Sequence, residues 1–321
     1  MKSFRNKQMQ QFQLKNALGD QLQVLSYGAT LQHWSARLGS QQRELILSYP
    51  HAEQYQKDSC YLGAVAGPYA NRIGRSSFKL EQQRYQLEAN EGQHHLHGGS
   101  QGLHCQHWQL KKQYQDAVEL VCSRPDGLGG YPGPVHFSLL YQLTPDGALA
   151  ATFQAKTERV TLVGPTLHPY FNLAAVPEGR AKAGIDAHQL QLKAAHYAVV
   201  DNECIPTGEL AKVQGTAFDF QQPRLLAGAV LDHNFVVAGD VRQASAELTS
   251  PDGQLKLRVS SDYPGLQVYT GEHLAAPFQA RQGICLEPQF FPDSPNQPCF
   301  PFHYTRPDQA FRAQIRYQLE R

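Results

Sequence analysis

The 321-residue chain has no apolar run approaching the ~20 residues with which a helix spans a bilayer, so no membrane partner is expected. It has no long Lys/Arg run to track a phosphate backbone, and its formal net charge is only +1, so no nucleic-acid partner is expected. The serine-hydrolase elbow G-x-S-x-G and the zinc-protease pattern H-E-x-x-H are both absent. So is a phosphate cradle: "GLGGYPG" at 127–133 is interrupted by Pro132, and no helical pattern follows it. Nucleotide-dependent chemistry and serine hydrolysis therefore have no foothold. The six cysteines (Cys60, Cys105, Cys122, Cys204, Cys285 and Cys299) are widely spaced, with no C-x-x-C pair. In a chain this large they read as reduced, mostly buried thiols rather than a disulfide framework. The first 15 residues are polar and lack the apolar core of a secretory signal. A cytoplasmic protein is the expectation.

Helical periodicity is scarce as well. Only 51–58 ("HAEQYQKD") suggests a helical turn or two. What dominates is alternation with period two. Phe137, Leu139, Tyr141 and Leu143 share a face, as do Leu255, Leu257 and Val259, and again Ile315, Tyr317 and Leu319. Such runs predict strands with one buried face. Pro-Asp-Gly occurs at 125–127, 145–147 and 251–253, and supplies turn chemistry: Pro at the first central position, Gly where positive φ is needed. Many short strands with frequent turns indicate an all-β sandwich or barrel with few short helices. There is no linker, compositional break or internal repeat, so one domain spanning 1–321 is expected.

Glu287 stands out chemically. It lies between Ile284, Cys285 and Leu286 on one side and Phe290 and Phe291 on the other. Burial in such company would raise a carboxyl pKa from roughly 4.3 towards neutrality, where a proton-transfer group works best. A half-exposed strand carboxylate is the bland alternative. Four other patches carry polar chemistry. In "GPYANRIGR" (67–75), Asn71 and Arg72 offer amide and guanidinium groups. In "HHLHGG" (94–99), an extended chain would put His95 and His97 on one face, as a metal pair or as hydrogen-bonded histidines near a Gly-Gly turn. His168 opens "HPYFNL", and an imidazole exchanges protons near neutral pH. Asp232 opens "DHNF" in a polar break, where an Asx turn is the plain reading.

These patches, in this order, resemble the aldose 1-epimerase (galactose mutarotase) family. "ANRIG", "LHGG", "YPG", "HPYFNL", "IPTGEL", "LDHNF", "PGLQVYTG" and "CLEPQFFPDSPN" all correspond, from about residue 12 to the C-terminus. The resemblance implies a large antiparallel β-sandwich with an open sugar cleft. It also implies interconversion of the α and β anomers of free hexoses such as glucose and galactose, without cofactor or metal. By this resemblance Glu287 is the general base and His168 the general acid, with His97 assisting near the ring oxygen. Asn71, Arg72, Asp232 and Gln267 would hold the sugar. The chain departs from the family pattern at Gln93-His94-His95, Leu103-His104, Leu167 and Glu272, all close to the expected cleft.

Anomer exchange needs a proton delivered to the ring oxygen and another removed from the C1 hydroxyl. The expectation is a carboxylate and an imidazolium on opposite sides of the pyranose, with an aromatic such as Trp108 or Phe290 against its apolar face. A non-catalytic sugar-binding protein and a metal enzyme using His95 and His97 are the alternatives. The expected partner is a small aldose, and the expected state a monomer or weak homodimer.

Overall fold

The alternating runs form strands. The computed structural model describes residues 9–176 and 182–321. Val135–Leu143 buries Phe137, Leu139, Tyr141 and Leu143 on one side. Lys256–Ser261 buries Leu257 and Val259, with Leu255 buried just before it, and Phe311–Glu320 buries Ile315, Tyr317 and Leu319. Each of the three Pro-Asp-Gly segments joins strands, with Gly127, Gly147 and Gly253 at φ of 80°, 84° and 69°. The segment expected to make a helical turn is a 3-10 helix, Ala52–Lys57. All helical segments among the described residues are short 3-10 turns.

Two large antiparallel sheets dominate. A nine-stranded sheet runs in the order Gln109–Gln113, Ala117–Arg124, Val135–Leu143, Ala148–Thr157, Phe311–Glu320, Lys256–Ser261, Ala246–Thr249, Gln189–Leu192, Arg224–Leu225. A six-stranded sheet runs Tyr170–Phe171, Ile284–Gln289, Gly265–Tyr269, Asp232–Val236, His196–Val200, Pro206–Lys212. A four-stranded sheet begins the described chain, from Gln11–Lys15 to Gln41–Glu44.

The sheets meet in one apolar core, a sandwich as expected. Trp34 of the four-stranded sheet and Tyr317 of the nine-stranded sheet both pack on Phe171 of the six-stranded one. Tyr317 also donates its hydroxyl to the carbonyl of Leu286, 3.0 Å away, tying the nine-stranded sheet to the strand that carries Glu287. That strand is buried on both faces. Ile284 and Leu286 enter the inter-sheet core, each fully buried and each contributing about 1.5–3 kcal/mol by leaving water. Strand alternation then sends Cys285 and Glu287 to the opposite face.

Two expectations need correction here. The cysteines are all free, but only Cys122 and Cys285 are buried; Cys60, Cys105 and Cys204 are half-buried and Cys299 is exposed. Period-two reading also fails at 94–99. The strand there ends after His95–Leu96, and His97 takes a left-handed φ of 51°. His95 and His97 therefore do not share a face. The His95 ring is held by the Glu88 carbonyl (2.7 Å) and the Tyr131 hydroxyl (2.8 Å), the hydrogen-bonded alternative rather than a metal pair.

The turn that aims His97 depends on Gly98. Its φ is 91°, and a Cβ there would sit 1.9 Å from the Gly67 carbonyl oxygen and 2.6 Å from its carbon. Gly92, also left-handed at φ 57°, has nothing within 4 Å of a Cβ. Gly92→Ala should therefore cost only the left-handed strain, about 1–2 kcal/mol. Gly98→Ala should cost clearly more, because backbone must move as well. Urea unfolding of the two variants side by side measures the difference.

Candidate active site

The polar face of the six-stranded sheet forms the floor of a cavity of about 320 Å³. Register builds it in rows. Gln267 pairs with Glu287 on one side and Asn234 on the other; Tyr269 pairs with Cys285 and Asp232 in the next row. Paired residues on neighbouring strands project to the same face, so motifs far apart in the chain become neighbours. His168 comes from the short link between Thr166–Leu167 and Tyr170–Phe171, with its N–H on the Ala64 carbonyl (3.0 Å) and its own carbonyl accepting from Gly63 (2.9 Å).

The loop side is equally constrained. Arg72–Ile73 pairs with His95–Leu96. Asn71 sits at φ 65°, and its N–H donates to Nδ1 of His97 (3.1 Å). Nδ1 is thereby an acceptor, so a neutral His97 carries its proton on Nε2. Burial, followed by the nearby His168 and Arg72, holds His97 well below the usual histidine range and keeps it neutral. The segment after Glu287 clamps this loop from below. Asp293 donates its N–H to the Arg72 carbonyl (2.8 Å) and accepts the Gly74 N–H on its carboxylate (2.9 Å).

All seven residues expected at the site line this one cavity: Asn71, Arg72, His97, His168, Asp232, Gln267 and Glu287. Nε2 of His168 lies 3.6 Å from Oε1 of Glu287. That gap leaves no room for a sugar ring between them, so the opposite-side arrangement does not hold; the two groups stand side by side. Trp108 and Phe290 are not at the cavity either. The Trp108 indole N–H donates to the Leu103 carbonyl, and Phe290 packs among Tyr69, Tyr263 and Phe302. Tyr61, Tyr170 and Tyr269 supply the aromatic walls.

Glu287 is 2% exposed, and its Oε2 has no hydrogen-bond partner in the protein. Gln267, beside it, donates to Asp232 (2.6 Å) and leaves its own buried Oε1 unpartnered. Two orphaned acceptors in one row, each worth about 1–3 kcal/mol in lost hydration, call for a ligand rich in hydroxyl donors. Asp232 also lies 3.8 Å from the Arg72 guanidinium.

Comparison with known proteins points to one family. The family model described as Aldose 1-epimerase matches residues 10–318. The aldose 1-epimerase of Escherichia coli (strain K12) is 33% identical over 331 residues, covering 95% of this chain and 94% of that one. The galactose mutarotase of Homo sapiens is 33% identical over 320 residues, covering 94% and 92%. The chain belongs to the aldose 1-epimerase family. Among solved structures, a galactose 1-epimerase from Lactobacillus acidophilus superposes with a TM-score of 0.87 at 27% identity, covering 100% of this chain and 97% of that one. Membership makes the chain an isomerase of the epimerase class.

Several cavity residues of this family member escaped sequence reading. Glu91 receives Arg72 bidentately, with Nε at 2.7 Å and Nη2 at 2.9 Å. Its proximity follows from the pairing of 72–73 with 95–96, which spacing alone does not reveal. Tyr61 packs against His97 with the rings tilted by 55° and their centroids 4.6 Å apart, on a loop without a motif. Tyr170 and Tyr269 lay inside quoted motifs, and strand alternation from His168 and Gln267 was the available signal.

Electrostatics alter the expected charge state. Burial, followed by the neighbouring Asp232 carboxylate, raises the Glu287 carboxyl well above its usual range. Burial, countered in part by a backbone hydrogen bond and reinforced by His104, lowers His168 to about 4. Both shifts disfavour the ionised forms in the ligand-free site, against the expected carboxylate–imidazolium pair. The cause is desolvation, which disfavours either ion. The consequence for stability has a definite sign. Above pH ~4.5 an unfolded Glu287 ionises while the folded one stays protonated, so the unfolded state gains. Glu287→Gln should therefore be more stable than wild type at neutral pH. Its advantage should grow by about 1.4 kcal/mol per pH unit until Glu287 itself ionises in the folded protein. Denaturant titrations at pH 4.5, 6 and 7.5 measure this.

Proposed function

We propose that this epimerase interconverts the α and β anomers of free hexoses such as glucose and galactose, with Glu287 and His168 exchanging the protons. The observation that carries the reading is the buried Glu287 carboxyl, with its Oε2 unpartnered and its Oε1 3.6 Å from the His168 imidazole, facing a cavity lined by polar side chains.

The chemistry follows from the pair. Ring opening breaks the bond between C1 and the ring oxygen. The ring oxygen gains a proton, the C1 hydroxyl loses one, and an aldehyde forms. Rotation about C1–C2 and reclosure complete the exchange. Nothing is oxidised and no group leaves, so one acid and one base suffice. The two reacting oxygens share a single carbon, and for that reason side-by-side groups serve where opposite faces were expected. A protonated carboxyl beside a neutral imidazole holds the same number of protons as a carboxylate beside an imidazolium. Transfer from Glu287 to His168 on sugar binding generates the reactive form, with Glu287 as base and His168 as acid. Donation from sugar hydroxyls to Glu287 Oε2 favours the carboxylate. Reclosure returns both protons.

The remaining side chains fix the sugar. His97 presents Nε2–H near the ring oxygen. Asn71, Arg72, Asp232 and Gln267 supply donors and acceptors for the other hydroxyls. Glu91 acts through Arg72 by fixing its fork. A monomer or weak homodimer is the oligomeric state we propose. Six free thiols fit a reducing cytoplasm. No helix among the described residues is long and apolar enough to cross a membrane.

Polarimetry on freshly dissolved α-galactose and α-glucose tests the activity. Wild type should accelerate mutarotation over buffer, and equality with buffer would overturn the proposal. Glu287→Gln should lose about 10²–10⁴ in rate while calorimetry still detects sugar binding; undiminished rate in this variant would remove Glu287 from the mechanism. Glu91→Gln should raise KM about tenfold and change kcat little, because it loosens a charged hydrogen-bond pair that orients Arg72.

A further inference from the structure

The proton exchange leaves one buried nucleophilic group at the site unused. Cys285 lies two residues before Glu287 on the same strand face and has no exposed surface. Its Sγ is 3.5 Å from Nδ1 of His168, and Nε2 of that ring is 3.6 Å from Glu287 Oε1. Thiol, imidazole and carboxyl each bring one ligand atom within 4.8 Å of the other two, and all three residues are buried. No other His, Cys, Asp and Glu trio among the described residues is so arranged.

The donor set has a chemical preference. Sulfur, nitrogen and oxygen on three side chains, of which His168 and Glu287 line the cavity, suit a tetrahedral ion that accepts thiolate. Mg²⁺ and Ca²⁺ want oxygen ligands in larger number and fit poorly. Metal–ligand bonds of about 2.0–2.3 Å put tetrahedral ligand atoms roughly 3.3–3.8 Å apart. One ion can take only one ring nitrogen: Cys285 Sγ is 3.5 Å from Nδ1, within that range, whereas the 3.6 Å contact of Glu287 is to Nε2, so a separation of up to 4.8 Å must close by about 1 Å, which side-chain torsions provide. Glu287 Oε2 has no protein partner to give up.

We propose that Cys285, His168 and Glu287 form an inhibitory site for a thiophilic divalent cation of the Zn²⁺ or Cd²⁺ class, entered through the sugar cavity. The cation sheds water and forms one bond each to sulfur, nitrogen and oxygen. The thiol and carboxyl protons pass to solvent, and nothing is oxidised or reduced. Bound in this way, it occupies both groups that exchange protons with the sugar. The inhibitory effect rests on the epimerase reading; the cation binding does not.

Chelator-treated protein titrated with CdCl₂, followed by calorimetry and by the ultraviolet cadmium–thiolate charge-transfer band, tests the site without turnover. One tight site per chain with a thiolate band is expected. Cys285→Ala should abolish that band and weaken binding about 100-fold or more, and Cys285→Ser serves if the alanine variant fails to fold. Glu287→Gln should keep the band at lower affinity. Saturating galactose should weaken Cd²⁺ binding to wild type. Unchanged band and affinity in the Cys285 variants would overturn the proposal, since another thiol would then hold the ion. So would the absence of a tight site in wild type, or binding indifferent to galactose in a protein shown calorimetrically to bind that sugar. Loss of mutarotation at the same Cd²⁺ concentration is read separately. If wild type shows no mutarotation at all, the epimerase reading fails and the binding result stands.

Discussion

A carboxyl group held out of water beside an imidazole is the constraint around which this molecule is organised. Desolvation pushes Glu287 up and His168 down, so the ionised form of each is disfavoured in the free site. Left alone, such an arrangement is a liability: the unfolded chain ionises the carboxyl more readily than the folded one does. The sandwich tolerates it because the same strand contributes Ile284 and Leu286 to the inter-sheet core. Stability and chemistry are thus drawn from opposite faces of one six-residue strand.

The surroundings set a further unpartnered acceptor beside that carboxyl. Glu287 and Gln267 each keep a buried oxygen without a protein partner, in adjacent positions of one row. Arg72 is oriented by Glu91 and Asp232 together, and its backbone is fastened by Asp293. His97 has its tautomer set by a backbone donor from Asn71. Each of these groups is positioned by main chain or by a charged partner rather than by free rotation, and such preorganisation lowers the cost of fixing a flexible, hydrated ligand.

Much of the architecture was legible because its signals are local. Alternation at 136–143, 255–259 and 315–319 needs only a pleated chain and one buried face, and the Pro-Asp-Gly turns need only their own three residues. Glu287 announced itself through apolar neighbours, and the quoted motifs named Asn71, Arg72, His97, His168, Asp232 and Gln267. Features that depend on tertiary pairing were not legible. Glu91 meets Arg72 through a two-residue ladder. His95 turns away from His97 because one residue between strand and Gly-Gly turn adopts positive φ. The charge state of the Glu287–His168 pair depends on how much water both lose, which is a property of the assembled sheets.

Tyr317 gives the rear of the molecule a part in this. Its hydroxyl reaches across the core to the main-chain oxygen of Leu286, immediately before Glu287. Because side chains alternate on that strand, deleting or inserting one residue within 284–289 would exchange its two sides: aliphatic groups would enter the hydrated hollow, and a sulfur and an acid would enter the oil-like interior. This segment therefore tolerates only changes that keep its length.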